Sequence, residues 1–121
     1  MNRSLRVWVL SDGLPGHVNQ ARGLIRRIAG LRNIEHQEHK VQLRWRLLRP
    51  LMCWALNQRK SWAVMVVRSA YVGLPSSVEP PDLIVSAGGN TSFANAMLAR
   101  QFGVHNFFMG SLRGLDAGLF S

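Results

Sequence analysis

Cysteine is almost missing from this 121-residue chain, acidic residues are scarce, and no apolar run is long. The single Cys53 excludes an internal disulfide and leaves no thiolate cluster for structural zinc, which fits a reducing, cytoplasmic setting and gives redox chemistry no basis. The first apolar stretch, residues 5–10, runs straight into Ser11, Asp12 and Gly13 and is too short for a signal peptide or a membrane span. Internal repeats, low-complexity tracts and heptads are also absent. Six acids against 15 Lys and Arg leave a net charge of +9, a positive field that favours phosphates, nucleic acid or anionic lipid headgroups. With 47% hydrophobic residues, the chain can build the core of one domain spanning residues 1–121.

What is present is a pair of glycine-bearing turns, each after an apolar run and before a helical pattern. Residues 12–20 read Asp-Gly-Leu-Pro-Gly-His-Val-Asn-Gln, and residues 86–92 read Ser-Ala-Gly-Gly-Asn-Thr-Ser. Glycine lets the backbone approach an anion closely, and the first N–H groups of a helix carry partial positive charge. The pair points to a nucleotide, a sugar nucleotide or a lipid pyrophosphate.

The expected architecture is α/β, a Rossmann-like parallel sheet with flanking helices. Residues 5–10 predict a first strand. Val18, Ala21, Leu24, Ile25, Ile28 and Ala29 then recur at helical spacing up to Gly30, placed as a helix end. Residues 35–40 are polar and read as a solvated linker, and the alternation over residues 41–45 predicts the second strand. Pro50 suits a first helical turn before Leu51, Met52, Ala55 and Leu56, and residues 61–72 fit a further helix better than a strand. Residues 73–81, with three prolines, redirect the chain. A strand over 82–85, a helix capped by Asn90 or Thr91 and ended by Gly103, and a strand over 104–109 complete the pattern. Ligands are expected where loops leave the carboxyl ends of such strands.

The first turn departs from G-x-G-x-x-G, with glycines at Gly13 and Gly16 and no acid at the end of the expected second strand. A plain glycine turn that binds nothing reads the same way. His17, next to Gly16 at a helix start, can donate to a phosphate or act as a general base, although the positive end of a helix favours the neutral ring. Asn19 and Gln20 add neutral donors and acceptors. The second turn is the better generic anion cradle, and its plain alternative is a well-capped helix. His36 and His39, near Glu35 and Glu38, have a spacing that metals use, but a solvated linker supplies no supporting shell, and we assign no metal site.

Segment 44–72 interleaves Arg44, Arg46, Arg49, Arg59, Lys60 and Arg68 with Trp45, Leu47, Leu48, Leu51, Met52, Trp54, Leu56 and Trp62. It reads either as a buried crossover helix pair or as an amphipathic surface for a membrane. Core packing does not readily explain three tryptophans among so many cations, so we favour peripheral membrane contact through Arg44, Trp45, Arg46, Arg49, Trp54, Arg59, Lys60 and Trp62. Nucleic acid is the weaker use of these residues, since no binding motif accompanies them.

Residues 11–20, followed by Gly23 and Leu24, closely resemble the opening motif of the ELM family, the mitochondrial-fission-type proteins with many bacterial members. Residues 81–90, Pro-Asp-Leu-Ile-Val-Ser-Ala-Gly-Gly-Asn, resemble its second motif. Both are similar, more distantly, to glycine loops of the peptidoglycan transferase that adds N-acetylglucosamine to lipid I. The resemblance implies a GT-B glycosyltransferase architecture, with this chain as the N-terminal, acceptor-side portion and the sugar nucleotide held mostly by a C-terminal domain beyond Ser121. By that likeness Gly13, Gly16, His17, Gly88, Gly89, Asn90 and Thr91 line the acceptor pyrophosphate side, Asp12, Asn19 and Gln20 accompany them, and His17 matches the transferase's loop histidine. It further implies a lipid-linked acceptor, a peripheral place on the inner face of a membrane and no cofactor within this chain. A short Rossmann half also leaves apolar edges, for which we expect self-association or a missing domain as cover.

Overall fold

The computed structural model describes residues 5–31, 33–75, 80–110 and 114–120. Met1 to Ser4, part of the proline-rich break at 76–79, and Ser121 lie outside the described residues, as does the side chain of Arg46.

β1 (Leu5–Ser11), β2 (Ile34–Lys40), β5 (Leu83–Ala87) and β6 (His105–Met109) form one sheet in the order β2-β1-β5-β6. Each neighbouring pair is parallel, with Ser11 opposite Lys40 and Val9 opposite Val85. A parallel sheet is covered on both faces, so its inner strands are apolar on both. Val7, Val9, Leu83 and Val85 pack on Ala21 and Ile25 of α1 (Pro15–Ala29). Trp8, Leu10 and Ile84 face the other way, into a core shared by α2 (Arg49–Asn57), α3 (Ala63–Ala70) and α4 (Ser92–Phe102). The chain leaves β1 on one side to make β2, then returns through α2 and α3 to β5 on the other side of β1. The strand order therefore reverses between β1 and β5, where a crevice opens at the carboxyl ends.

The Rossmann-like α/β expectation holds, with local corrections. The polar stretch expected as a linker is strand β2, fully paired with β1. An edge strand has one strand neighbour, and its charged side chains guard against further pairing, so it needs little apolar content. The strand expected over 41–45 shrinks to β3 (Gln42–Leu43), antiparallel to β4 (Tyr71–Val72) in a separate two-stranded sheet. The helix expected over 61–72 gives way to that strand at Tyr71. Gly103 ends α4 in the left-handed conformation, φ +64°, whereas Gly30 ends α1 at φ −69°, which any residue adopts. Relocating the second strand also places an acid near its end, Glu38, but Arg22 of α1 holds that carboxylate at 2.8 Å. This pairing keeps the Glu38 carboxyl below its ordinary range.

Segment 44–72 has a buried inner side and an exposed outer side. Met52, Ala55, Leu56, Ala63, Val67 and Ala70 are buried, and each of the larger ones contributes about 2 kcal/mol by leaving water, which anchors the inner faces of α2 and α3. Trp45, Leu47, Leu51, Trp54, Trp62 and Met65 remain outside, Leu47 at 93% exposure.

Candidate functional site

The two glycine turns leave β1 and β5, the adjacent strands that flank the point of reversal, and they touch. In the first, Ser11 Oγ accepts the Gly13 N–H and Asp12 Oδ1 accepts the Leu14 N–H, both at 3.0 Å, so the turn is tied by its own side chains. The free carboxylate oxygen, Asp12 Oδ2, lies 2.6 Å from Nδ1 of His17, in the first turn of α1. Asp12 is largely buried and His17 partly open.

The second turn closes on that pair. Gly88 is buried at φ +98°, and a Cβ there would fall 2.6 Å from Asp12 Oδ2 and 2.8 Å from His17 Cε1. Only glycine permits both the conformation and the approach. Thr91 stands at the N-cap of α4, but its side chain makes no cap hydrogen bond; its Oγ1 donates to the Gly88 carbonyl at 2.8 Å. Asn90 does not cap it either: its Oδ1 accepts from Arg49 Nη2, and its carbonyl accepts from the Tyr71 hydroxyl. Burial raises the pKa of that hydroxyl far above the ordinary tyrosine value, so Tyr71 acts as a donor. Gly89 lies in the same 3-10 turn, Gly89–Thr91.

Between the turns lies a cleft of about 240 Å³ lined by Asp12, Val41, Gln42, Leu43 and Asn90. Two cations flank it. Lys40, the last residue of β2, lays its side chain over Gly13, where a Cβ would meet Lys40 Cε at 2.8 Å. Arg49, grouped in sequence with the membrane surface, reaches the Asn90 loop instead, and its Nε is buried with no hydrogen-bond partner among the described residues. A correctly placed β2 would have flagged Lys40, because the end of the second strand borders the first turn in any doubly wound sheet.

Other expected site residues spread outward. Gly16 is exposed, with open space where a Cβ would stand. Asn19 and Gln20 are exposed on α1; Gln20, three residues after His17, shares its side of the helix, and Asn19, two residues after it, does not. Neither α1 nor α4 has a side-chain cap, and α1 carries no acid in its first turn. His36 and His39 point to opposite faces of β2, His36 toward Arg22 and Ile25 and His39 edge-on to Trp8 at 5.6 Å, so the two rings cannot share an ion.

The family model for mitochondrial fission ELM1 matches residues 15–109, most of the chain. The chain belongs to the mitochondrial fission ELM1 family. No curated protein and no solved structure matches it. The ELM1 match runs from the first turn of α1 through β6 and so takes in His17, Lys40, Arg49 and the whole second turn, while Asp12 and Gly13 lie just before it.

Among the expected membrane residues of this ELM1 chain, Trp54, Lys60 and Trp62 come together and Arg44 meets Trp45, while Arg49 turns to Asn90. Trp54 and Trp62 lie 6.0 Å apart, Lys60 Nζ sits 5.5 Å from the Trp54 ring, and the Arg44 guanidinium 5.4 Å from the Trp45 ring. Arg59 is engaged with Asp116 at 3.1 Å. Among the described residues no helix is long and apolar enough to cross a membrane.

Proposed function

We propose that this chain is a glycosyltransferase-like, acceptor-side domain that holds a phosphate-containing, lipid-linked acceptor beside a membrane. The observation that carries the reading is the meeting of the two glycine turns at the point of strand reversal, with Gly88 closed onto the Asp12–His17 pair. Ligands of doubly wound sheets bind at that point, and uncapped helix starts with Lys40 and Arg49 nearby suit an anion. His17 is the candidate for acceptor contact or base function. By the resemblance to the peptidoglycan transferase, the donor sugar nucleotide belongs to a second domain. The charge of a transfer reaction would then be met from both sides of a cleft, and this chain alone would bind without turnover.

The test is a ligand-detected NMR screen of the chain against UDP, UDP-sugars and geranyl pyrophosphate, with His17→Ala beside the wild type. Binding of geranyl pyrophosphate that weakens several-fold in His17→Ala is the expected result. A folded sample that binds none of them would contradict the reading.

A second reading, a non-catalytic module for membrane or protein contact, is favoured by the exposed Trp45, Leu47, Leu51, Trp54 and Trp62 beside Arg44 and Lys60. In that case flotation with anionic vesicles depends on Trp45 and Trp54 and is indifferent to His17→Ala.

A further inference from the structure

We propose that Asp12, which lines the cleft, is a positioning residue that makes Nε2 of the adjoining His17 the proton-accepting atom, serving a hydroxyl group on the bound ligand. The ligand half of this statement rests on the phosphate-cleft reading above. The tautomer half stands on the chain alone.

Each oxygen of Asp12 has one task. Oδ1 takes the Leu14 N–H at 3.0 Å, and Oδ2 takes Nδ1 of His17 at 2.6 Å. An ionised carboxylate can only accept, so Nδ1 must be the donor, and in a neutral ring the lone pair then belongs to Nε2. Gly88 borders the pair closely, since a Cβ there would fall 2.6 Å from Asp12 Oδ2 and 2.8 Å from His17 Cε1. The Asp12 side chain is 11% exposed and that of His17 37%, so the anchor is shielded while the ring is partly open to solvent. When Nε2 takes a proton, the O–H bond of the ligand hydroxyl breaks and its electron pair stays on oxygen. The imidazolium keeps its Nδ1–H on Asp12, so the new positive charge forms beside a negative one.

The structure also supplies a variant that should invert the tautomer without dismantling the turn. In Asp12→Asn the amide oxygen can keep the Leu14 N–H, which leaves the amide NH2 facing His17. Nδ1 must then accept, and the ring proton moves to Nε2. Long-range 1H–15N correlation spectra of the labelled chain at alkaline pH, with the His17 signals assigned by their loss in His17→Gln, read this without any ligand. The expected result is Nδ1–H in the wild type and Nε2–H in Asp12→Asn. A wild type carrying Nε2–H, or a folded Asp12→Asn that keeps Nδ1–H, overturns the proposal. If Asp12→Asn does not fold, the wild-type spectrum decides. Because no phosphate is present, a failed pyrophosphate titration with the expected tautomer would sink the cleft reading and leave the role of Asp12 standing.

Discussion

The two glycine turns share a composition and differ in what their glycines are for. Gly88 sits buried at a positive φ with the Asp12 and His17 side chains where a Cβ would be, while Gly16 is exposed, ordinary in conformation and surrounded by open space. The second turn is thus a fixed wall, braced by Arg49 and Tyr71 through Asn90 and continuous with a buried α4. The first turn carries the groups that can do chemistry and faces outward. A glycine demanded by the fold and a glycine kept for an approaching ligand look alike in sequence, and only the space around each separates them.

Substitutions can break this contrast if it is wrong. Gly88→Ala should have the largest effect: the strained φ and the collision with two braced side chains together cost about 3 kcal/mol or more, read as a drop in the urea midpoint. Gly13→Ala comes next. Its φ of +83° is also unfavourable, but the group in the way is the flexible end of Lys40, so the cost is the backbone's, about 1–2 kcal/mol.

The legible parts of the fold were those with a strong pattern: the apolar β1 and β5, the helical spacing of α1 and α4, and Gly103 as a left-handed stop. β2 was hidden because Ile34 is its one aliphatic residue, while the alternation from Val41 to Trp45 imitated a strand more convincingly. The short loops usual between helix and strand would have placed a strand soon after Gly30, and this was the usable signal. The site followed the same rule. Both turns were readable from their glycines, but Lys40 was lost with β2, and Arg49 and Tyr71 joined the site only through packing that brings α2 and β4 to Asn90.

A subtler comparison sets the edge strand against the sheet's centre. His39 has its Nε2 buried without a hydrogen-bond partner among the described residues, and burial lowers its pKa. The unfolded chain therefore binds this proton more readily than the folded one, so stability is present at neutral pH and declines as pH falls below the ordinary histidine value of about 6.5. Urea midpoints should decrease between about pH 7.5 and about pH 5.5, and His39→Phe should flatten that decrease. The smallest change in stability is expected for Gly16→Ala, within about 0.5 kcal/mol, since nothing occupies the space its Cβ would enter. If the same variant weakens pyrophosphate binding several-fold, Gly16 is kept for the ligand. Equal affinity would remove that half of the contrast.

Titration of the 15N-labelled chain with inorganic pyrophosphate decides whether an anionic ligand sits where the two turns meet. The amide signals of Gly13, Gly16, His17, Gly88 and Asn90 should shift together with one affinity. Shifts confined to the surface around Arg44 and Lys60, or none in a folded sample, would contradict it.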